Sequence, residues 1–147
     1  MIVLDANVLL RHLTLPVTDQ DQAFAAQSRE VFRLGLAEEH VFNCNEAVIA
    51  EVVFILSDRR HYGVSRETVN DLLRPLLEMR GCGISSKRML LDALRYWTFY
   101  AKLSFVDTIC LAQSLATDTP LMTFDARLNR VYRNLMEAPN AGRGNTN

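Results

Sequence analysis

Apolar positions recur along this chain in two rhythms. Short runs too brief for a helix read as strands: Ile2 to Leu4, His40 to Asn43, Gly81 to Ile84 and Leu121 to Phe124. Longer stretches carry helical spacing. Asp5-Ala6-Asn7 turns into a short helix through Arg11 and His12 that Pro16 ends, and Asp19 to about Leu36 is helical with a polar face. Asn45 can cap a largely apolar helix to about Arg59. Ser65 caps a helix whose Val69, Leu72, Leu73, Leu76 and Leu77 share one face, with Pro75 kinking or dividing it. Ser86 caps another that reaches Tyr100; a further helix starts near Phe105 and ends before Thr119-Pro120, and a basic one runs from Ala126 to about Leu135.

Strands alternating with amphipathic helices predict an α/β fold, a mainly parallel central sheet with helices on both faces, and in such folds ligands bind at the carboxyl ends of the strands. Residues 1–135 are expected to form one domain. Residues 136–147 read as a polar tail, disordered because it has nothing to bury. The 147 residues, 49% hydrophobic, suffice for a core. A net charge of −1 provides no global positive field, so any nucleic-acid contact must be local or helped by bound metal. Cys44, Cys82 and Cys110 fall in apolar surroundings without zinc or redox spacing and read as small core residues in a reducing compartment. With no leader and no apolar run near the ~20 residues that span a bilayer, the expectation is a soluble, cytoplasmic protein without membrane contact.

Four acids interrupt this apolar pattern. Asp5 closes the first strand, Glu51 is the only charge between Ala47 and Leu56, Asp107 breaks Leu103 to Ile109, and Asp125 follows Leu121 to Phe124. Three have a structural explanation: Asp5 and Asp125 can cap the helices that follow, and Ser104 to Asp107 matches a capping box. Glu51 has apolar neighbours at Ala47, Val48, Phe54 and Ile55, which points to a buried, metal-bound or Arg-paired carboxylate. Two carboxylates ~5 Å apart repel by roughly 3 kcal/mol at an effective dielectric of ~20. Capping needs no such crowding, whereas convergence around Mg²⁺ or Mn²⁺ would explain it, and the four are expected in one pocket.

At these positions the chain resembles the PIN-domain nucleases, and most closely the compact VapC-type toxins of toxin–antitoxin pairs. The matching segments are IVLDANVLLR, VIAEVVFIL, KLSFVDTICLAQ and PLMTFDARLNR, in family order, and the resemblance covers about residues 1 to 135. It implies a three-layer α/β/α fold and an acidic quartet of Asp5, Glu51, Asp107 and Asp125 around Mg²⁺ or Mn²⁺, with Asn7 and Thr123 in support by hydrogen bonding. It also implies an endoribonuclease of structured RNA, commonly tRNA or rRNA, that forms a homodimer and is silenced by a cognate antitoxin. Two features depart from the pattern: the polar tail stands where many relatives have an edge strand, and Glu46 is an extra acid that suits a helix N-terminus.

Phosphodiester hydrolysis needs an activated water, charge neutralisation at phosphorus and a stabilised leaving oxygen, all of which metal ions supply. Arg127, Arg130 and Arg133 could grip phosphates or form a solvated helix face, and Arg11 could contact RNA or a partner. His12, His40 and His61 share no spacing and read as surface or helix-end residues. A haloacid-dehalogenase-like phosphatase would need Asp where Asn7 stands, and a dinucleotide enzyme would need a Gly-rich turn after the first strand. The rival from another class is a PIN-fold interaction module without catalysis.

Overall fold

The computed structural model describes residues 1–138, so the expected polar tail lies, over 139–147, outside the described residues. The elements are β1 (Ile2–Val3), α1 (Ala6–Leu13), α2 (Asp19–Ala37), β2 (Phe42–Asn43), α3 (Glu46–Ser57), α4 (Arg66–Glu78), α5 (Lys87–Phe99), α6 (Phe105–Thr117) and α7 (Ala126–Glu137). The last helix extends two residues past the expected domain end at 135.

Side-chain caps explain most helix starts. The Asp5 carboxylate accepts from the Val8 N–H at 3.1 Å, Asn45 from Val48 at 3.0 Å and Ser65 from Thr68 at 3.2 Å. Thr18 and Asp21 form a capping box at α2, and Ser104 and Asp107 form another at α6. Ser86 stands at the cap position of α5, but its hydroxyl makes no cap hydrogen bond. Pro75 does not divide α4: it lies with Asp71 on the exposed side, where water can satisfy the carbonyl its missing N–H leaves free.

The sheet is smaller than the sequence predicts. β1 and β2 pair in parallel, Ile2 opposite Phe42 and Val3 opposite Asn43, and Cys82 adds a single parallel bridge to Phe42. Leu121 to Phe124 is not a strand. Leu121 instead joins a small cluster with buried Leu103, Leu111 and Leu128, while Met122 and Phe124 point outward, 83% and 96% exposed. The segment has the alternation of a strand without a ladder partner. The main core lies under α1 to α6, with Phe32, Phe42, Val52, Leu73, Leu90, Leu94 and Trp97 at its centre.

Two close approaches hold the frame. A Cβ on Gly81 would lie 2.3 Å from the Gly35 Cα, and the Gly81 N–H donates to the Gly35 carbonyl at 2.8 Å, so α2 rests directly on the 81–83 segment. Arg66, at the start of α4, donates from Nη1 to the carbonyls of Trp97 at 2.7 Å, Leu103 at 2.9 Å and Tyr100 at 3.3 Å, with its guanidinium 4.6 Å from the Trp97 ring centroid. Gly81→Ala should therefore lower stability by about 2–3 kcal/mol, because the obstructing atoms are backbone. An unchanged denaturation midpoint in urea would show that the two segments can separate without cost.

Candidate active site

Each candidate acid has a local reason for its position. Asp5 follows β1 and caps α1 at the carboxyl edge of the sheet; since β1 and β2 are parallel, α3 also begins at that edge. With Asn7, Val8 and Arg11, Asp5 lines a cleft of about 550 Å³ whose far side is Phe24, Gln27, Ser28 and Val31 of α2. Asn7 is exposed on the first turn of α1. Arg11 turns to α2 and pairs with Asp21 at 2.5 Å, so it is already engaged within the chain.

Of the three surroundings expected for Glu51, buried, metal-bound or Arg-paired, the first is not the one found. Glu51 is exposed rather than buried, and no ion pair engages it among the described residues. The apolar residues next to it, Ala47 and Phe54, are exposed too, so α3 presents an apolar outer face with one carboxylate in it. The core face of α3 is instead the one that carries Ile49, Val52, Val53 and Leu56.

Asp107 and Asp125 stand at the starts of α6 and α7. Asp107 is half-buried at the third position of α6, where it accepts from the Ser104 N–H at 2.9 Å. Asp125 caps α7, its Oδ1 accepting from the Arg127 N–H at 2.7 Å and the Leu128 N–H at 3.2 Å. Thr123 fixes the approach, since its hydroxyl accepts the Asp125 N–H at 3.0 Å. The Arg127 side chain folds back so that Nη2 meets Asp125 Oδ2 at 3.1 Å. Hydrogen bonding from Arg127, then from the Leu128 and Arg127 amides, holds the Asp125 carboxyl below the ordinary aspartate range. Asp125 and, more weakly, Asp107 raise the Arg127 guanidinium in turn. Arg127 is thus paired with Asp125 and feels the charge of Asp107, across the contact between α6 and α7.

These hard oxygen donors suit Mg²⁺ or Mn²⁺ in kind. Their placement does not: among the described residues, no three His, Cys, Asp or Glu side chains are grouped closely enough to hold a metal ion. The expected gathering of Asp5, Glu51, Asp107 and Asp125 into one metal shell is therefore not what the structure presents. Asp107 and Asp125 share a neighbourhood, Asp5 lies at the sheet edge, and Glu51 faces outward from α3.

A family model for the PIN domain matches residues 2–134. The chain belongs to the PIN-domain family. PIN domains are typically nucleases and generally use divalent metal ions. No curated protein and no solved structure matches the chain. No described helix is long and apolar enough to cross a membrane.

Other candidate groups take structural places in this PIN domain. Cys44 and Cys82 are buried, and burial, with Cys82 alongside, pushes the Cys44 thiol up to about 12; Cys110, expected in the core, is exposed. The Cys44 thiol, raised that far, is no nucleophile. His12 stacks on Phe32 at 4.1 Å at the end of α1, and His40 and His61 are exposed. Glu46 occupies the first position of α3, where negative charge complements the helix dipole. Arg66 was missed by sequence reasoning, although a cation at a helix N-terminus opposes that dipole and so carried a signal.

Arg127→Gln should raise the Asp125 pKa toward that of an unperturbed aspartate, as read by carboxyl-carbon NMR titration. The sign follows from the depressed folded-state value: whatever stability the pair contributes is present above the unfolded pKa and lost as pH falls through the folded one. Indistinguishable titration curves for variant and wild type would mean that the backbone amides alone hold Asp125 down.

Proposed function

We propose that this PIN domain is a divalent-metal-dependent endoribonuclease, using Mg²⁺ or Mn²⁺, and the toxin of a type II toxin–antitoxin pair of the VapC kind. The observation that carries the reading is that Asp107 and Asp125 stand at the starts of α6 and α7, two helices in contact, and that Arg127, bonded to Asp125, also feels the charge of Asp107. Neighbouring carboxylates form a negative environment that favours a cation, and a divalent ion would have to displace Arg127 from Asp125 to use it. The PIN match and its typical nuclease activity support assigning that environment to phosphodiester hydrolysis.

The chain's own residues have distinct tasks in this reading. Asp5, Glu51, Asp107 and Asp125 are the catalytic carboxylates and metal ligands, with Asn7 and Thr123 in support. Thr123 and the α7 amides orient Asp125. Arg127 and Arg130, exposed on α7, supply positive charge for RNA phosphates; Arg11 remains available to RNA only by leaving Asp21. Structured RNA such as tRNA or rRNA is the substrate, and the chain acts in the cytoplasm. A homodimer and a cognate antitoxin are its protein partners. Exposed Phe54 of α3 and Val106 of α6, which line one cleft between those helices, offer apolar surface for such contacts.

The second reading, a PIN-fold interaction module without catalysis, is favoured by one observation: the four acids are not grouped as a metal shell. Incubating the purified chain with total RNA in Mg²⁺ and in Mn²⁺, then sequencing the new RNA ends, separates the two. Cleavage that disappears with chelator supports the nuclease; intact RNA in both metals leaves only the module.

Two further outcomes follow. Asp107→Asn keeps an acceptor for the Ser104 N–H while removing one charge, so cleavage should fall by about a hundredfold and metal-free stability should hold or rise. Near-normal cleavage would return Asp107 to capping alone. Mg²⁺ or Mn²⁺ should raise the melting temperature of the wild type as expected for a ligand of the folded state, and much less for Asp107→Asn. A melting temperature indifferent to both metals, with cleavage intact, would rule out this quartet as the metal site.

A further inference from the structure

One place in the core stripe of α2 is polar. The buried residues of that helix are Ala25, Ser28, Phe32 and Gly35, and Ser28 is only 4% exposed. A hydroxyl inside a helix can bond to the carbonyl four residues back, as Ser57 and Thr98 do at 2.7 and 2.8 Å. The Ser28 hydroxyl makes no hydrogen bond among the described residues, nor is its oxygen sealed from solvent as that of Ser86 is. It opens into the cleft of about 550 Å³ between β1, α1 and α2, the one that Asp5 also lines.

A nearly buried polar group without a partner costs stability, whereas alanine would suit the helix better. Only a ligand that brings its own donor or acceptor to the depth of the cleft satisfies such a group. The walls around it are apolar: Phe24 and Val31 of α2, Val8 of α1, and Leu4. At the rim stand Asn7 and Gln27, exposed uncharged amides that each donate and accept. Apolar faces with donors and acceptors around the edge describe a nucleobase, and Asp5 in the same cleft places it beside the proposed reacting phosphodiester. An aliphatic side chain of a polypeptide would fill the walls but leave the Ser28 hydroxyl unpaired. We infer that this cleft is a base-recognition pocket, in which Ser28 and Gln27 read the edge of one RNA base held next to Asp5. This rests on the ribonuclease reading and adds to it the residues that select the nucleotide beside the cut.

Binding is measured first without RNA or metal. In chelator, backbone-amide NMR shifts follow the titration of wild type with adenosine, guanosine, cytidine, uridine and ribose. At least one nucleoside should shift the amides between Phe24 and Val31, and ribose should not. Ser28→Ala should weaken that nucleoside by about tenfold, as expected for one hydrogen bond to a buried group, and Gln27→Ala should act in the same direction. The same Ser28→Ala protein should melt at or above the wild type, because alanine removes an unpaired hydroxyl and favours the helix. Lost binding with retained or gained stability is a combination that a merely structural serine does not give. With Mg²⁺ or Mn²⁺, sequenced RNA ends should carry a base bias at a fixed distance from the cut in wild type, and a weaker bias in Ser28→Ala.

Ribose acting as the nucleosides do, equal nucleoside affinity in wild type and Ser28→Ala, or a marked fall in melting temperature for Ser28→Ala would each overturn the proposal, the last by showing that the hydroxyl is bonded within the fold. N-acetylleucinamide or N-acetylglutaminamide binding the cleft as tightly as the best nucleoside would overturn it in favour of a polypeptide segment. If wild type cleaves RNA with ends as unbiased as those of Ser28→Ala, the pocket fails and the nuclease reading stands. Nucleoside binding that depends on Ser28, with RNA left intact in both metals, would keep the pocket and end the nuclease reading.

Discussion

The placement of the α6 carboxylate depends on a single guanidinium well away in sequence. Arg66 satisfies carbonyls at the end of α5 and in the turn that follows, while its flat face lies on Trp97. Helix ends leave carbonyls without intrahelical partners, and burying them unpaired is costly. A guanidinium can bond to several of them and stack at the same time; an ammonium cannot reproduce that geometry. Burial pulls the Arg66 guanidinium below its ordinary range, yet an arginine in a protein keeps its charge. The turn it grips runs into Ser104, whose capping box sets where α6 begins and hence where Asp107 points. The position of Asp107 is thus fixed from α4, through backbone carbonyls.

Helices were legible in the sequence because their signals are local. Asn45, Ser65, Ser104 and Asp125 cap where their side-chain chemistry says they should, and the apolar face of α4 is the one its spacing predicts. Strands were less legible, since a run of apolar residues does not say whether another strand will lie beside it. Ile2 to Leu4 found Phe42 and Asn43; Leu121 to Phe124 is likewise largely apolar but sends Leu121 into the cluster between α6 and α7. Glu51 shows the limit of periodicity on a helix that is apolar all round. Both faces of α3 looked like core, and only tertiary packing decided that Ile49, Val53 and Leu56 would be covered while Phe54 would not.

Asp5, Asp107 and Asp125 all stand at helix starts, and this joins the two explanations that compete for them. A helix N-terminus stabilises negative charge through free N–H groups and the macrodipole, so a carboxylate there stays ionised even close to another. Capping and cation binding therefore draw on the same preference for the charged form. They differ in how many acceptor sites they consume: a cap takes one or two N–H donors in the carboxylate plane, and an ionised Asp has further lone pairs to offer.

For Asp125 the competitor is Arg127, not the cap. Its guanidinium is tethered two residues away, so it meets the carboxylate at a high effective concentration that no dissolved ion shares. Bulk salt weakens an exposed pair of this kind, yet tethering keeps the partner at hand. A divalent cation offers twice the charge at a point and prefers oxygen, but it must be held by several donors at once to repay its own dehydration. Asp125 and Asp107 alone cannot supply that number. Whatever occupies the space between α6 and α7 is consequently decided less by Asp125, which is ionised either way, than by whether Asp5 and Glu51 can be brought toward it against Arg127's local advantage.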